Sequence, residues 1–227
     1  MNTCGLAPLG ISLKVMALSG LLLLCIGLPL ALALSRPRWF GRRLLETLVS
    51  LPLVFPPIAI GFFLLLLLGR QGWVNTLLPE TWRFVLVFSF EALLIAATIA
   101  GLPLMVKPVQ AALEQEARLL AEAASTLGKS AWEIFRHVTL PSISRALAAG
   151  LALGVGRGMG EVGMSLLLGG NLVGKTDTLS LAIYNAVLDG DFACARNHAF
   201  ILAALALLLF AVLDRLSREG RGERGKG

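Results

Sequence analysis

Charge is scarce in this chain. Asp, Glu, Lys and Arg make up 15% of its 227 residues, against roughly 25% in soluble domains. A soluble chain of this size could not hide a 56% hydrophobic complement, so the excess must face lipid. Histidine is almost absent: His137 and His198 fall on opposite sides of the membrane in the topology below. HExxH, a Ser/His pair inside a span and paired aspartates are all missing, which leaves an intramembrane enzyme little to work with. The cysteines are Cys4, Cys25 and Cys194. They form no CxxC and no metal-ligand spacing, so no metal site is expected. Cys25 sits in an apolar run. Cys4 and Cys194 fall on the same outer side, which leaves a disulfide open without making it the expectation. The net charge of +6 comes with no aromatic-basic face, so nucleic acid is not expected as a partner.

What is present is a series of long apolar blocks, with a mean hydropathy of +0.80. Each is long enough to cross a hydrocarbon core about 30 Å thick. The pattern predicts an all-α polytopic transmembrane helical bundle of about five, or six, spanning helices in the lipid bilayer. The spans are expected at 11–34, 44–68, 84–106, 146–168 and 198–213, in one transmembrane domain over 1–217. A charged, glycine-rich cytoplasmic tail over 218–227 is expected to be disordered. The segment 177–195 reads as either a short helix or a re-entrant piece. Fourteen of the 20 Lys and Arg residues lie in 35–43, 107–145 and 214–227. Only Arg70, Arg83, Lys175 and Arg196 occupy the other side. That bias puts the N-terminus outside and the C-terminus in the cytoplasm. No basic residue precedes Lys14, so the first block reads as a retained helix rather than a cleaved signal. Glu46, Glu91 and Lys14 are expected to snorkel to the interface.

The largest loop on the predicted cytoplasmic side, 107–142, is helical by pattern. Leu113, Ala117, Leu120 and Ala124 share one helix face. Gly128 breaks the run, and Ser130-Ala131-Trp132-Glu133 is a capping-box pattern that restarts it. Pro141 suits the first turn of the next helix. Such a hairpin could simply join two spans, but Trp132, Ile134 and Phe135 are large apolar groups in a loop that otherwise meets water, as at interaction sites. Glu122-Ala123-Ala124, Gly128, Val138 and Leu140-Pro141 resemble the EAA loop of ABC-importer permeases, E-A-A-x3-G-x9-I-x-L-P, with Val138 for Ile. The resemblance implies a coupling helix seated on a cytoplasmic ATPase, with Glu122, Ala123, Ala124, Gly128, Trp132, Leu140 and Pro141 at the contact.

The resemblance extends to molybdate-type permeases. Leu51-Pro52 through Pro56-Pro57 and on to Gly69-Arg70-Gln71-Gly72 is similar to their second span. Gly160-Glu161-Val162-Gly163 through Gly169-Gly170-Asn171 and Thr176-Asp177-Thr178 is similar to their fourth span and the loop after it. Val162 stands where Phe is commoner in molybdate permeases, and Glu-Val-Gly followed by Gly-Gly-Asn is a tungstate-permease form. Sulfate permeases share the broad pattern. The implied protein is a non-enzymatic subunit of the bacterial cytoplasmic (inner) membrane, which moves an oxyanion, molybdate first, with no cofactor of its own. The implied partners are a second copy, two ATPases that bind ATP and magnesium, and an outer substrate-binding protein. A membrane scaffold would explain the loop but not the broken helices.

Candidate path residues are Pro56, Pro57, Arg157, Glu161, Gly163, Asn171, Thr176 and Thr178. Ionisable groups in a span are costly, so Arg157 and Glu161, at i and i+4, read either as a structural ion pair or as a lining of the path. Gly150-x3-Gly154 and Gly156-x3-Gly160 are small-xxx-small patterns for close helix packing. Two apparent motifs fail on context. Gly169 to Thr176 matches G-x4-G-K-[ST], but follows an apolar span rather than a strand. Gly158-x-Gly160-x-x-Gly163 matches a dinucleotide fingerprint but lies within a predicted helix.

Overall fold

The computed structural model describes residues 4–36, 39–77, 79 and 86–222. All regular structure among them is helical, as expected. Proline and glycine decide where several of the helices start and stop. The first helix, α1 (Ala7–Ser35), opens with Pro8 in its first turn, where the missing N–H costs nothing, and widens into a π turn at Leu23–Gly27. Gly41 at φ +92° turns the chain into α2 (Arg42–Val54). That helix stops at Phe55 because Pro56 and Pro57 follow. A residue before proline is pushed out of the α region. The chain restarts as α3 (Pro57–Leu68) and, after a turn at Gly69–Gly72, α4 (Trp73–Leu77).

Ser89 caps α5 (Phe90–Ala112), its hydroxyl accepting the Ala92 N–H. A π turn at Leu113–Ala117 leads into α6 (Arg118–Thr126). Beyond Gly128, α7 (Ala131–Ser142) meets α8 (Ser144–Met159) at a 62° bend. Then come α9 (Gly163–Gly169), α10 (Leu179–Leu188) and α11 (Phe192–Gly222).

Four of the described helices are long and apolar enough to cross a membrane, and a fifth if the bent pair α7–α8 counts as one span. The chain is a multi-pass membrane bundle. Several expected boundaries move. The block 44–68 is two helices: amphipathic α2, and an apolar stretch whose membrane-length run is Pro57–Leu77. The block 146–168 is also two, since α8 ends at Met159 and α9 begins at Gly163. The third span starts at Phe90, not 84, and the last at Phe192. The segment 177–195 holds a short helix, α10. The tail expected to be disordered from Arg218 is helical to Gly222, and 223–227 lie outside the described residues.

The centre of the bundle is α5, whose apolar window is 61% buried, and the periphery is α11, at 6%. Lipid tails are as apolar as leucine, so close packing must hold helices together. Here it comes from α5 running against α8. A Cβ added at Gly150 would stand 2.9 Å from the Met105 carbonyl oxygen, one at Gly154 2.9 Å from that of Gly101, and one at Gly158 2.8 Å from that of Ala97. The rows 97–101–105 and 150–154–158 run antiparallel and touch nearly backbone to backbone. The expected Gly150-x3-Gly154 contact is present. Gly156-x3-Gly160 makes no such contact: at Gly156 the nearest atom is a Phe210 ring carbon at 3.9 Å. Leu23, Met105, Val106, Val109 and Val155 fill the core beside the seam.

Gly158→Ala should therefore destabilise the bundle by about 1–3 kcal/mol through overpacking. Gly156→Ala should leave it unchanged or stabilise it by up to about 1 kcal/mol through helix propensity. Thermal unfolding of both variants in detergent checks this, and equal shifts would contradict the seam.

Candidate functional site: two broken spans and a hairpin

A helix that begins inside a membrane exposes backbone N–H groups with no water to meet them. At the start of α3, Pro56 and Pro57 remove two such donors outright, and the Ala59 and Ile60 N–H groups donate to the Pro56 carbonyl. At the start of α9 a side chain does the work. The Glu161 carboxylate, 2% exposed, accepts the Met164 N–H at 2.9 Å through Oε1 and pairs with Arg157 Nη1 at 2.7 Å through Oε2. The Arg157 side chain remains about one-third exposed. The expected ion pair is present, and its carboxylate also caps the broken span.

The two breaks meet. A Cβ at Gly163 would stand 3.1 Å from the Ile58 nitrogen and 3.4 Å from Pro57 Cβ, and one at Gly61 would stand 3.0 Å from Met164 Cα. Glycine at 61 and 163 lets the starts of α3 and α9 touch. Pro57, Arg157, Glu161 and Gly163 thus form one cluster, with Pro56 preceding it.

Asn171, Thr176 and Thr178 belong to the loop between α9 and α10, where each is committed to holding that loop. The Thr176 hydroxyl donates to the Gly169 carbonyl and accepts the Leu172 N–H, both at 2.7 Å. Asn171 and Asn185 exchange amide hydrogen bonds at 2.6 and 3.1 Å. Thr178 caps α10. Ser180 donates to the Met159 carbonyl at the end of α8, and Ser12 accepts the Leu179 N–H at 2.8 Å. The apparent phosphate loop is closed on itself, because the Gly174 N–H donates to Asp177 and the Leu172 N–H to Thr176. A helix, α9, precedes it. The apparent dinucleotide fingerprint straddles the break between α8 and α9.

The hairpin at one end of the bundle follows the predicted chemistry. Gly128 adopts φ +76° after α6, with its N–H donating to the Ser125 carbonyl at 3.0 Å. The capping box is complete: the Ser130 hydroxyl accepts the Glu133 N–H, and the Ser130 N–H donates to the Glu133 carboxylate. That backbone donor first, then the Ser130 hydroxyl and Lys129, hold the Glu133 carboxyl below its ordinary range. Ala124 is buried, while Glu122 and Ala123 are exposed and Leu140 and Pro141 half-buried. Glu122 pairs with Arg118 one turn back at 2.8 Å. Trp132 is 66% exposed and stacks on Phe135, ring centroids 5.9 Å apart. With Leu119, Leu120 and Leu127 it leaves apolar surface uncovered. Leu120 was expected to share the buried face. Leu113, Ala117 and Ala124 are buried and Leu120 is exposed, because in the α-helix after Ala117 the residue three on lies about 60° off the line that Ala117 and Ala124 share.

Sequence reasoning missed the ties between the second block and this hairpin. Lys107 Nζ lies 2.9 Å from Glu46, and Arg42 Nη2 lies 2.8 Å from Glu114, which also accepts from Gln110. Glu46 pairs with a neighbouring helix rather than snorkelling free. Its signal was available: opposite charges at the end of one predicted span and the start of another, on one predicted side.

The chain matches the family described as Binding-protein-dependent transport system inner membrane component over residues 24–218. It is 32% identical to the molybdenum transport system permease protein ModB of Haemophilus influenzae, over 96% of this chain and 97% of the relative. It is 36% identical to the sulfate transport system permease protein CysT of Escherichia coli, over 86% of this chain and 70% of the relative. A chain of a bacterial alginate ABC transporter, crystallised with an alginate pentasaccharide-bound periplasmic protein, shares the fold at a TM-score of 0.71 and 22% identity. That match covers 94% of this chain and 78% of the other.

Glu161→Gln keeps an acceptor for the Met164 N–H and removes the charge beside Arg157. Glu161→Ala removes both. In detergent unfolding the Ala variant should be less stable than the Gln variant by about 1–3 kcal/mol, the cost of one unsatisfied buried donor. Equal stability would show that the carboxylate does not cap α9.

Proposed function

Because the chain belongs to the family of binding-protein-dependent transport system inner membrane components, we propose that it is the permease of an ABC importer for a tetrahedral oxyanion of the molybdate, tungstate and sulfate group. The observation that carries this reading is the hairpin. A glycine in the left-handed region, a complete capping box and an exposed Trp132 present a rigid, partly apolar end of the kind that docks a partner. The two kinds of relative pull differently on the substrate. The molybdenum permease is matched end to end, and the sulfate permease at higher identity over less of its length. The reading is therefore the chemistry they share, a tetrahedral dianion, with molybdate first by matched length.

In this account two copies form the pore, two ATPases seat on the hairpins, and an outer binding protein delivers the anion. The chain binds no nucleotide, and none of its residues reacts with the substrate. ATP binding closes the ATPases, draws the hairpins together and turns the pore outward, and hydrolysis resets it. The charge bias places the hairpin in the cytoplasm and the N-terminus outside. Glu122, Ala123, Ala124, Gly128, Trp132, Leu140 and Pro141 form or shape the docking face. Arg157, with Glu161 as its partner, lies beside the path at the meeting of the two breaks with Pro56, Pro57 and Gly163. A paired arginine attracts an anion yet holds it weakly, which suits a conduit. Asn171, Thr176 and Thr178 shape the outer side of that path by fixing the loop.

The test is labelled molybdate uptake in cells without their own system, expressing this chain with an ATPase and a binding protein. Uptake should need all three and be blocked by tungstate. Stronger competition by sulfate would move the substrate within the class. Gly128→Asp should abolish uptake while leaving the membrane level normal. Open space surrounds Gly128, so the new side chain would not break the core; it would strain the φ +76° turn locally and project its charge onto the docking face. Normal uptake by that variant would contradict the docking role.

A further inference from the structure

At the end of the bundle opposite the hairpin, the first and last spans are covalently joined. Cys4, just before α1, and Cys194, in the first turn of α11, form a disulfide with Cα atoms 5.5 Å apart. The bond that the sequence merely left open is present. One wall of its surroundings is His198, a turn further along α11 and 4% exposed. His198 Nε2 lies 3.2 Å from the Gly5 carbonyl oxygen and donates to it, which leaves the Nδ1 lone pair facing Cys194 Sγ at 3.5 Å. Nε2 is also 3.7 Å from Cys4 Sγ. Beside the three groups opens a cavity of about 490 Å³, whose rim includes Asp177, Asp189 and Asp191. Cys4 itself is exposed.

A disulfide kept only as a staple needs no base beside it. This one has a buried imidazole aimed at the inner sulfur, a cavity beside the pair, and an outer sulfur open to collision. The geometry points to a thiol–disulfide exchange site whose partners are disulfide or dithiol compounds, protein-borne or small, on the extracytoplasmic side. It goes beyond transport, and rests on the proposed reading only for which side it faces.

Formation runs in two steps. The Cys4 thiol gives its proton to water, its thiolate attacks a disulfide R–S–S–R, and one R–S⁻ leaves with the electron pair of the broken S–S bond and takes a proton from water. Cys194 then gives its thiol proton to His198 Nδ1, and its thiolate attacks Cys4 Sγ. The Cys4–S–R bond breaks, and the second R–S⁻ leaves, taking the proton. Two protein thiols and R–S–S–R thus become one protein disulfide and two R–SH. Reduction is the reverse: a thiolate attacks exposed Cys4, and Cys194 leaves and takes its proton from the imidazolium. The thiolate is the reactive form, so the base sets the rate. Oxidised, the site pins the start of the first span to the start of the last. Reduced, it frees them beside the cavity.

The test uses the full chain in lipid nanodiscs. Differential alkylation and mass spectrometry follow Cys4 and Cys194 under graded dithiothreitol, and then under oxidised glutathione. The expected result is an oxidised pair that opens in the folded protein and reforms, with reformation at least about tenfold slower in His198→Gln. Three results would overturn the assignment: free thiols throughout, a bond that yields only after denaturation, or an unchanged rate in His198→Gln. The second needs no variant, so a misfolded His198→Gln would not shield the idea. A membrane-impermeant maleimide applied to reduced intact cells should label Cys4. Labelling only after permeabilisation would overturn the extracytoplasmic partner, and trace that failure to the orientation rather than to the chemistry.

Discussion

One carboxylate carries much of this structure. In lipid every backbone polar group must find its partner inside the protein, and this chain breaks two of its apolar runs. The break before α3 is made tolerable by prolines that have no N–H to satisfy. The break before α9 has no such help, and Glu161 supplies it by accepting the Met164 N–H and neutralising itself against Arg157. Taking a carboxylate out of water costs several kcal/mol unless it is paired and fully hydrogen-bonded. Both conditions are met here, so the costly group ends up stabilising the conformation that needs it.

Other backbone groups at these helix ends are met by side chains from elsewhere in the chain. Thr176 and Ser180 donate to carbonyls at the ends of α9 and α8, and Ser12 accepts from the start of α10. The loop between α9 and α10 therefore closes the broken fourth block and also positions α10 against α1. Close packing of small residues does the rest. Gly154 against Gly101 lets α8 lie on α5, and Gly163 against Pro57 brings the two breaks together. Arg42–Glu114 and Lys107–Glu46 tie α2 to the run that leads into the hairpin.

Much of this was legible from residue types. Apolar block length gave a helical membrane bundle, and Pro56-Pro57, Gly128 and the Ser130–Glu133 pair each marked a real discontinuity. What stayed hidden was phase and partnership. Leu120 fits the helical spacing of Ala117 and Ala124 but stands at the edge of their face, and it is exposed. The fourth block read as continuous because Gly160-Glu161-Val162 is as apolar as its flanks apart from one acid, and that acid was the clue to a break. Of the small-residue patterns, period four was right and phase was not settled, since Gly158 and not Gly156 faces α5. Thr176 and Thr178 were legible as special residues, but their hydrogen bonds to the loop's own backbone depend on the tertiary turn.

The central claim is that the two breaks meet face to face. A Cβ at Gly61 would stand 3.5 Å from Leu167 Cβ, within the range for a disulfide, and 3.0 Å from Met164 Cα, so the two helices must give by a few tenths of an ångström to accept it. The most direct measurement is oxidative cross-linking of the Gly61→Cys/Leu167→Cys pair in membranes, read by mass spectrometry. The account predicts an intramolecular 61–167 bond in high yield. A fourth block that ran on as one straight helix would carry residue 167 away from α3, and the absence of that cross-link in a folded variant would contradict the account.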